Sequence, residues 1–312
     1  MTNILGEDMN RKTILSSHFP DFVEKWKKFQ SHFKKVDSWY ITSDYCLDDK
    51  DKPNDVMTFT IFPFVPPQML NYEIKRHLSK DIKDFKNLSE KAINYIKEAP
   101  YFFSVAFIIK NKNNVFALEG SKQVLDKTIK HMENWPPAKK EEFIHKMKKM
   151  RNYLNRKEID LKTLSNVSIT AHIMSAILEF LLIKAKAKHI MWVPDRDKIT
   201  DFQDGVVNEL VRLGYSNLRN KRIYDNEMYE FWGGKEYNKE IFDELIRVPD
   251  YISGAIASMD FDDVDKIPEK HYNLFDKSIV DNERICIMGL EHHQSEDILG
   301  EIKFTRHSLL SQ

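Results

Sequence analysis

An α/β protein whose sheet opens with an antiparallel hairpin is what this sequence predicts, on three observations. Two β-branched and aromatic runs, Trp39–Cys46 (WYITSDYC) and Val56–Val65 (VMTFTIFPFV), flank Leu47–Asp55, which is rich in Asp, Lys, Pro and Asn. Such runs separated by turn chemistry read as a hairpin with a long polar loop. Later apolar runs of strand length alternate with segments of helical period, the order expected of a sheet covered by helices. Glycine is scarce, 9 in 312 residues against a usual ~7%, which argues against a fold built on repeated glycine turns.

Taken in order, Phe22, Trp26, Phe29 and Phe33 recur at helical spacing and predict an amphipathic helix ahead of the hairpin. Pro66-Pro67 stops the second strand. A helix is predicted over about Met69–Lys97, then a strand at Phe102–Ile109, a turn at Asn111–Asn114 and a short return at Val115–Leu118. Ser121–Leu164 is lysine-rich and helical, interrupted at Trp135-Pro136-Pro137. A long helix from about Ser168 to Lys186 leads to a short strand, Ile190–Val193, that stops at Pro194-Asp195. A helix over Asp201–Leu213, a strand within Arg222–Phe231, a helical stretch over about Ile241–Met259 and a strand-like run at Arg284–Leu290 complete the chain. No internal repeat interrupts this pattern.

Composition excludes several classes of function. With 42% hydrophobic and 12% aromatic residues the chain can bury a sizeable core. Its 48 basic and 48 acidic side chains cancel, so binding to nucleic acid has to rest on a local patch. Cys46 and Cys286 form neither a disulfide framework nor a zinc spacing and predict reduced thiols in a cytoplasmic protein. The N-terminus lacks the apolar stretch of a signal peptide, and the apolar run Ile173–Ile183 is short for a bilayer, so no membrane association is expected. Gly233-Gly234-Lys235 is no phosphate loop, because the earlier glycine and the following Ser or Thr are missing. Neither a G-x-S-x-G elbow nor H-E-x-x-H occurs.

The candidate chemistry lies in three aspartates. Asp44 falls toward the end of the first strand, Asp195 follows the strand after the long helix, and Asp250 opens the last helix of the core. Carboxylates at a strand end and a helix start can meet at one sheet edge, where Mg²⁺ or Mn²⁺ is held by a few oxygen ligands plus water and substrate phosphate. Taken singly, each aspartate is ordinary turn or capping grammar. Asp197 rivals Asp195, and Asp48 and Asp49 rival Asp44.

With these motifs the chain resembles an uncharacterised bacterial domain family of ribonuclease H-like fold that recurs near mobile elements and phage-defence genes. That family reads Ile-Gln-x-Ala-Asp-x-x-Ala-Gly at its final helix, where this chain has Ile246-Arg247-Val248-Pro249-Asp250-Tyr251-Ile252-Ser253-Gly254. Its first motif, a strand ending Asp-Glu-Ser-Gly, is met here by Asp44-Tyr45-Cys46-Leu47, which keeps only the Asp. Its middle motif is met by Ile190–Asp195. The resemblance implies a ribonuclease H-like mixed sheet over residues 37–260, with a helical insertion at about 120–165, an N-terminal helical segment (1–36) and a C-terminal extension (261–312). It further implies metal-dependent phosphodiester hydrolysis of nucleic acid, with Asp44, Asp195 and Asp250 as catalytic metal ligands. A fourth carboxylate from the first helix region is expected among Glu73, Glu90, Glu98 and Glu119. The missing residues of the first motif leave an alternative, a catalytically inactive ribonuclease H-like binding or adaptor module that acts through a protein partner or as a sensor in a defence or mobile-element system; a structural role as a homo-oligomer is a third reading.

The basic stretch Lys139–Lys157 carries Phe143, Met147, Met150 and Leu154 at helical spacing, so its lysines form the opposite, wet face. The functional alternative is a phosphate-tracking surface of Lys140, Lys146, Lys149, Arg151 and Arg156, extended by Lys184, Lys186 and Lys188. His292-His293, with Glu291 and Asp297, are either metal ligands or incidental tail residues.

Overall fold

The computed structural model describes residues 12–110, 118–132, 140–219, 229–233, 239–292 and 297–301. Among the described residues, seven strands form one mixed sheet: β1 (Ser38–Cys46), β2 (Asp55–Pro63), β3 (Phe103–Lys110), β4 (His189–Pro194), β5 (Tyr229–Phe231), β6 (Ile285–His292) and β7 (Asp297–Glu301). Their order across the sheet is β5-β4-β1-β2-β3-β6-β7. The opening hairpin is antiparallel as expected, with Asp44 opposite Thr58, and β3 continues it antiparallel to β2. β4 lies parallel to β1 on the other side, Ser43 facing Pro194, and β5 lies parallel to β4. β6 runs parallel to β3 and β7 antiparallel to β6.

Alternation along the strands sends side chains to two cores. Trp39, Ile41, Phe59, Phe103 and Trp192 face α2 (Pro20–Ser31) and α7 (Leu161–Ile183), while Tyr40, Phe62, Ala106 and Val193 face α4 (Glu90–Glu98) and α9 (Lys239–Ala257). This three-layer arrangement is the α/β class read from the sequence. The flanking segments belong to it. Phe22, Trp26 and Phe29 of α2 are buried in the first core, and the chain beyond residue 260 supplies β6, hydrogen-bonded along β3.

Several elements differ from the sequence expectation; the helix read over Asp201–Leu213, for one, is α8 (Val206–Arg219). The helix read over Met69–Lys97 is broken into α3 (Pro67–His77), a 3₁₀ turn at Ile82–Asp84 and α4, which restarts where the Ser89 side chain accepts from the Ala92 N–H at 3.2 Å. The break lets Ile82 dock on α9. The long helix begins earlier than its apolar run, at Asp160, whose carboxylate caps Thr163 N at 2.9 Å. At 23 residues it is long and apolar enough to cross a bilayer, but 78% of its most apolar window is buried inside the protein. Finally, Pro249 and Asp250 lie inside α9 and do not open it.

Between α4 and α7 lie α5 (Leu118–Met132) and α6 (Lys140–Tyr153), where the helical insertion was expected, and α6 buries Met147 and Met150. The expected turn at Asn111–Asn114, most of the return at Val115–Leu118, the Trp135-Pro136-Pro137 interruption and most of Arg222–Phe231 lie outside the described residues.

Candidate metal centre

Asp44 projects from β1 on the α9 side of the sheet, the face it shares with Tyr40 and Thr42. Proline inside α9 explains how the helix is fixed there. Pro249 has no N–H to offer the Leu245 carbonyl four residues earlier, and Thr42 Oγ1 donates to that carbonyl at 3.4 Å. A polar strand residue thus fills the gap the proline makes and pins α9 across β1. One turn further on, Ser253 Oγ donates to Asp44 Oδ2, and also lies 3.2 Å from the Asp250 carbonyl oxygen. Gly254 permits the close fit of the 3₁₀ turn, since a Cβ there would meet Ile82 Cγ2 at 2.9 Å. The turn in exchange offers the Ile82 N–H to Asp250 Oδ2 at 2.9 Å.

Asp195 reaches the same rim from β4. Its N–H donates to the Ser43 carbonyl at 2.9 Å, extending the parallel ladder by one bond and holding Asp195 beside the end of β1. Arg196 N donates to Asp195 Oδ1 at 2.7 Å. Asp197 closes the loop: its Oδ1 accepts from Ile199 N (2.9 Å) and Thr200 N (2.8 Å). Under the rim, Ser43 Oγ accepts from Trp192 Nε1 at 3.1 Å and lies 2.7 Å from the Tyr45 hydroxyl.

The electrostatics show that these carboxylates feel one another. Burial pushes the Asp44 carboxyl up to about 8, the Asp250 charge pushes it further, the Ser253 hydroxyl opposes the rise, and Asp195 and Asp197 add to it. Burial likewise raises Asp250 to about 6; the Ile82 N–H, Lys83 and Lys52 hold it down, while Asp81 works the other way. Asp197 also rises to about 6, through burial first, with the Asp195 charge adding to it. All four aspartates remain partly exposed. The structure therefore brings Asp44, Asp195 and Asp250 to one rim, with Asp197 beside Asp195. Among the described residues, no three His, Cys, Asp or Glu side chains converge closely enough to hold a metal ion as they stand.

The fourth carboxylate expected from the first helix region is not resolved by the pairings. Glu73 acts on Tyr95 and Glu98 on Arg284, both away from the rim. The acid beyond β2 that acts on Asp250 is Asp81, in the break between helices. Asp81, Ser253 and Lys52 were not singled out by sequence. For Ser253 the signal was present, as the position where the final motif departs from Ala.

The α6 cations are engaged elsewhere. Lys146 is wedged between Glu209 (2.9 Å) and Glu142 (3.1 Å), Lys149 pairs with Asp204, and Arg151 takes both oxygens of Asp126 at 2.8 and 3.0 Å. Arg156 stacks over the Tyr153 ring. As contacts for phosphate they would first have to leave these partners, so the solvated-face reading describes them better. The Lys140 side chain lies outside the described residues, as do those of His292 and His293.

Compared with protein-family models, with curated proteins and with solved structures, the chain matches none of them.

Proposed function

We propose that this is a ribonuclease H-like, metal-dependent nuclease that hydrolyses phosphodiester bonds at the Asp44 rim. The observation that carries the proposal is geometric: Ser253 joins Asp44 of β1 to the α9 turn of Asp250, and the Asp195 N–H bonds the Ser43 carbonyl beside the end of β1, so carboxylates far apart in sequence share one rim. An antiparallel β1-β2-β3 unit with β4 laid parallel against β1 supports it, because that order sets the ends of β1 and β4 side by side. The donor types suit Mg²⁺ or Mn²⁺, being all oxygen, net anionic and partly open, while their present spacing means that the carboxylates would have to draw together around the ion. Asp44, Asp195 and Asp250 are the residues that would hold the ion. When bound, such a cation neutralises developing charge and lowers the pKa of water for in-line attack on the phosphodiester.

The chain's own groups prepare that site. Ser253 orients Asp44 and ties it to the turn carrying Asp250, in the way hydrogen-bonded partners orient metal ligands. The Ile82 N–H fixes one oxygen of Asp250, leaving the other for a ligand. The Asp197 loop holds Asp195 in register with β1. The test is cleavage of single- and double-stranded DNA and RNA with Mg²⁺ or Mn²⁺. Asp44→Asn and Asp250→Ala are expected to abolish it, and cleavage unchanged in either variant would refute the assignment.

A second reading, a binding or adaptor module without activity, is favoured by one specific observation. The Ser253 hydroxyl and the Ile82 N–H already occupy an oxygen each of Asp44 and Asp250. Calorimetry with Mn²⁺ separates the two, since tight binding that Asp44→Asn removes is expected only of the nuclease.

A further inference from the structure

Lys52 rides on the loop between β1 and β2, and that loop is not loose. Asn54 Nδ2 donates to the Met259 carbonyl at 2.6 Å and to that of Ile256 at 3.3 Å, while Asn54 N donates to Ala257 O at 3.2 Å. The loop thus caps the C-terminal turn of α9, the helix that carries Asp250. Within it, Lys52 N donates to the Asp49 carbonyl at 3.2 Å. The Lys52 side chain is 23% exposed, and its ammonium points back toward the sheet, 3.0 Å from Cys46 Sγ.

That placement is unusual for a cation. An ammonium drawn out of water is ordinarily matched by a close carboxylate. Here the paired carboxylate, Asp49, stands off at 4.0 Å and is itself exposed, whereas the near neighbour is a thiol. Cys46 follows Asp44 by two positions in β1 and so shares its face of the sheet, which sets the Lys52 ammonium on the flank of the acidic rim. A half-buried ammonium with no carboxylate closer than 4.0 Å among its pairings, on the flank of an acidic rim, is arranged for an anion that comes from outside.

We propose that Lys52 receives a backbone phosphate of the nucleic-acid substrate next to the Asp44–Asp250 rim. The inference rests on the nuclease reading and deepens it by assigning the residue that binds the substrate strand. A phosphodiester carries a single negative charge, which one ammonium matches, and Lys is a flexible point-charge donor suited to that task. The rigid loop holds the ammonium in place, so little freedom is lost on binding.

The experiment compares wild type, Lys52→Ala and Lys52→Arg in two assays. Affinity for a short fluorescein-labelled single-stranded oligonucleotide is followed by anisotropy over a range of salt, with Ca²⁺ in place of Mg²⁺. Mn²⁺ affinity is followed by calorimetry without nucleic acid. Lys52→Ala is expected to weaken oligonucleotide binding roughly tenfold or more, the scale of a lost charged hydrogen bond. It should also make the salt dependence shallower by about 0.7 in log–log slope, one phosphate contact on a single strand. Mn²⁺ affinity stays the same or tightens, because a repelling charge has gone, and Lys52→Arg keeps the wild-type slope. Unchanged oligonucleotide affinity and slope in Lys52→Ala would overturn the inference, as would a parallel loss of Mn²⁺ binding, the mark of a structural role. Asp44-dependent cleavage by wild type together with such a result defeats the Lys52 assignment alone; no Mn²⁺ binding and no cleavage by wild type defeats the nuclease reading and the inference with it.

Discussion

The Thr42–Leu245 contact across Pro249 lends itself to a quantitative test. Thr42→Val is nearly isosteric and keeps a β-branched residue in a strand, so the change removes little beyond the hydroxyl. The Leu245 carbonyl then loses the donor that stands in for the missing Pro249 N–H. A buried acceptor left unsatisfied costs ~1–3 kcal/mol. At 3.4 Å the bond is long, which places the cost near ~1 kcal/mol. Pro249→Ala restores an N–H able to reach Leu245, and is itself expected to stabilise by less than the ~3 kcal/mol typical of an interior helix proline, since Thr42 already offsets part of the loss. In the Pro249→Ala background, Thr42→Val should cost close to nothing, giving a coupling energy of ~1 kcal/mol. Urea unfolding of wild type, both single variants and the double variant measures it. Additivity within ~0.3–0.5 kcal/mol would refute the idea that the strand hydroxyl substitutes for the proline's absent hydrogen bond.

Two further outcomes follow from the rim. Because the Asp44 carboxyl is raised from 3.8 to about 8, the folded protein holds a proton there that the unfolded chain releases, so its contribution is full below about pH 4 and is lost as pH rises through 8. Asp44→Asn should therefore raise the melting temperature more at pH 8 than at pH 5, and an equal effect at both would show that Asp44 is ordinarily ionised. Gly254→Ala drives a Cβ to 2.9 Å from Ile82 Cγ2, and Ile82 is held by its bond to Asp250. Overpacking of ~1–3 kcal/mol should outweigh the ~1 kcal/mol helix-propensity gain of alanine, a net loss that thermal unfolding would show; net stabilisation would mean the turn yields freely.

How much of this was written locally in the chain differs from element to element. β1 and β2 announced themselves because their side chains alternate between two cores, and Asp44 and Asp195 because each directly ends or follows such a run. Asp250 was misplaced to a helix start since Pro249 looks like a first-turn residue; its tolerance mid-helix depends on Thr42, some 200 positions away, which no local pattern can reveal. The split of residues 69–97 did carry a local sign, Ser89 three residues before Ala92, but the apolar period on either side masked it. Lys52 reads as one more lysine in a polar loop until the loop is folded onto α9. The α6 lysines show the reverse: a run of positive charge that folding answers with Glu142, Glu209, Asp204 and Asp126.

The parallel pairing of β3 with β6 bears on how the protein is made and handled. Ser104–Lys110 find their outer neighbour in residues 285–291, far later in the sequence, and Lys25 of α2 bonds the Asn282 and Ile285 carbonyls at 2.9 and 3.1 Å. During synthesis on the ribosome, the row Phe103–Ile109 therefore waits with an open flank until residues 285–291 have emerged. A fragment cut at residue 260 keeps that flank open permanently, presenting unsatisfied backbone groups on an apolar strand, the template from which self-association grows. Expression boundaries for this protein belong beyond β6.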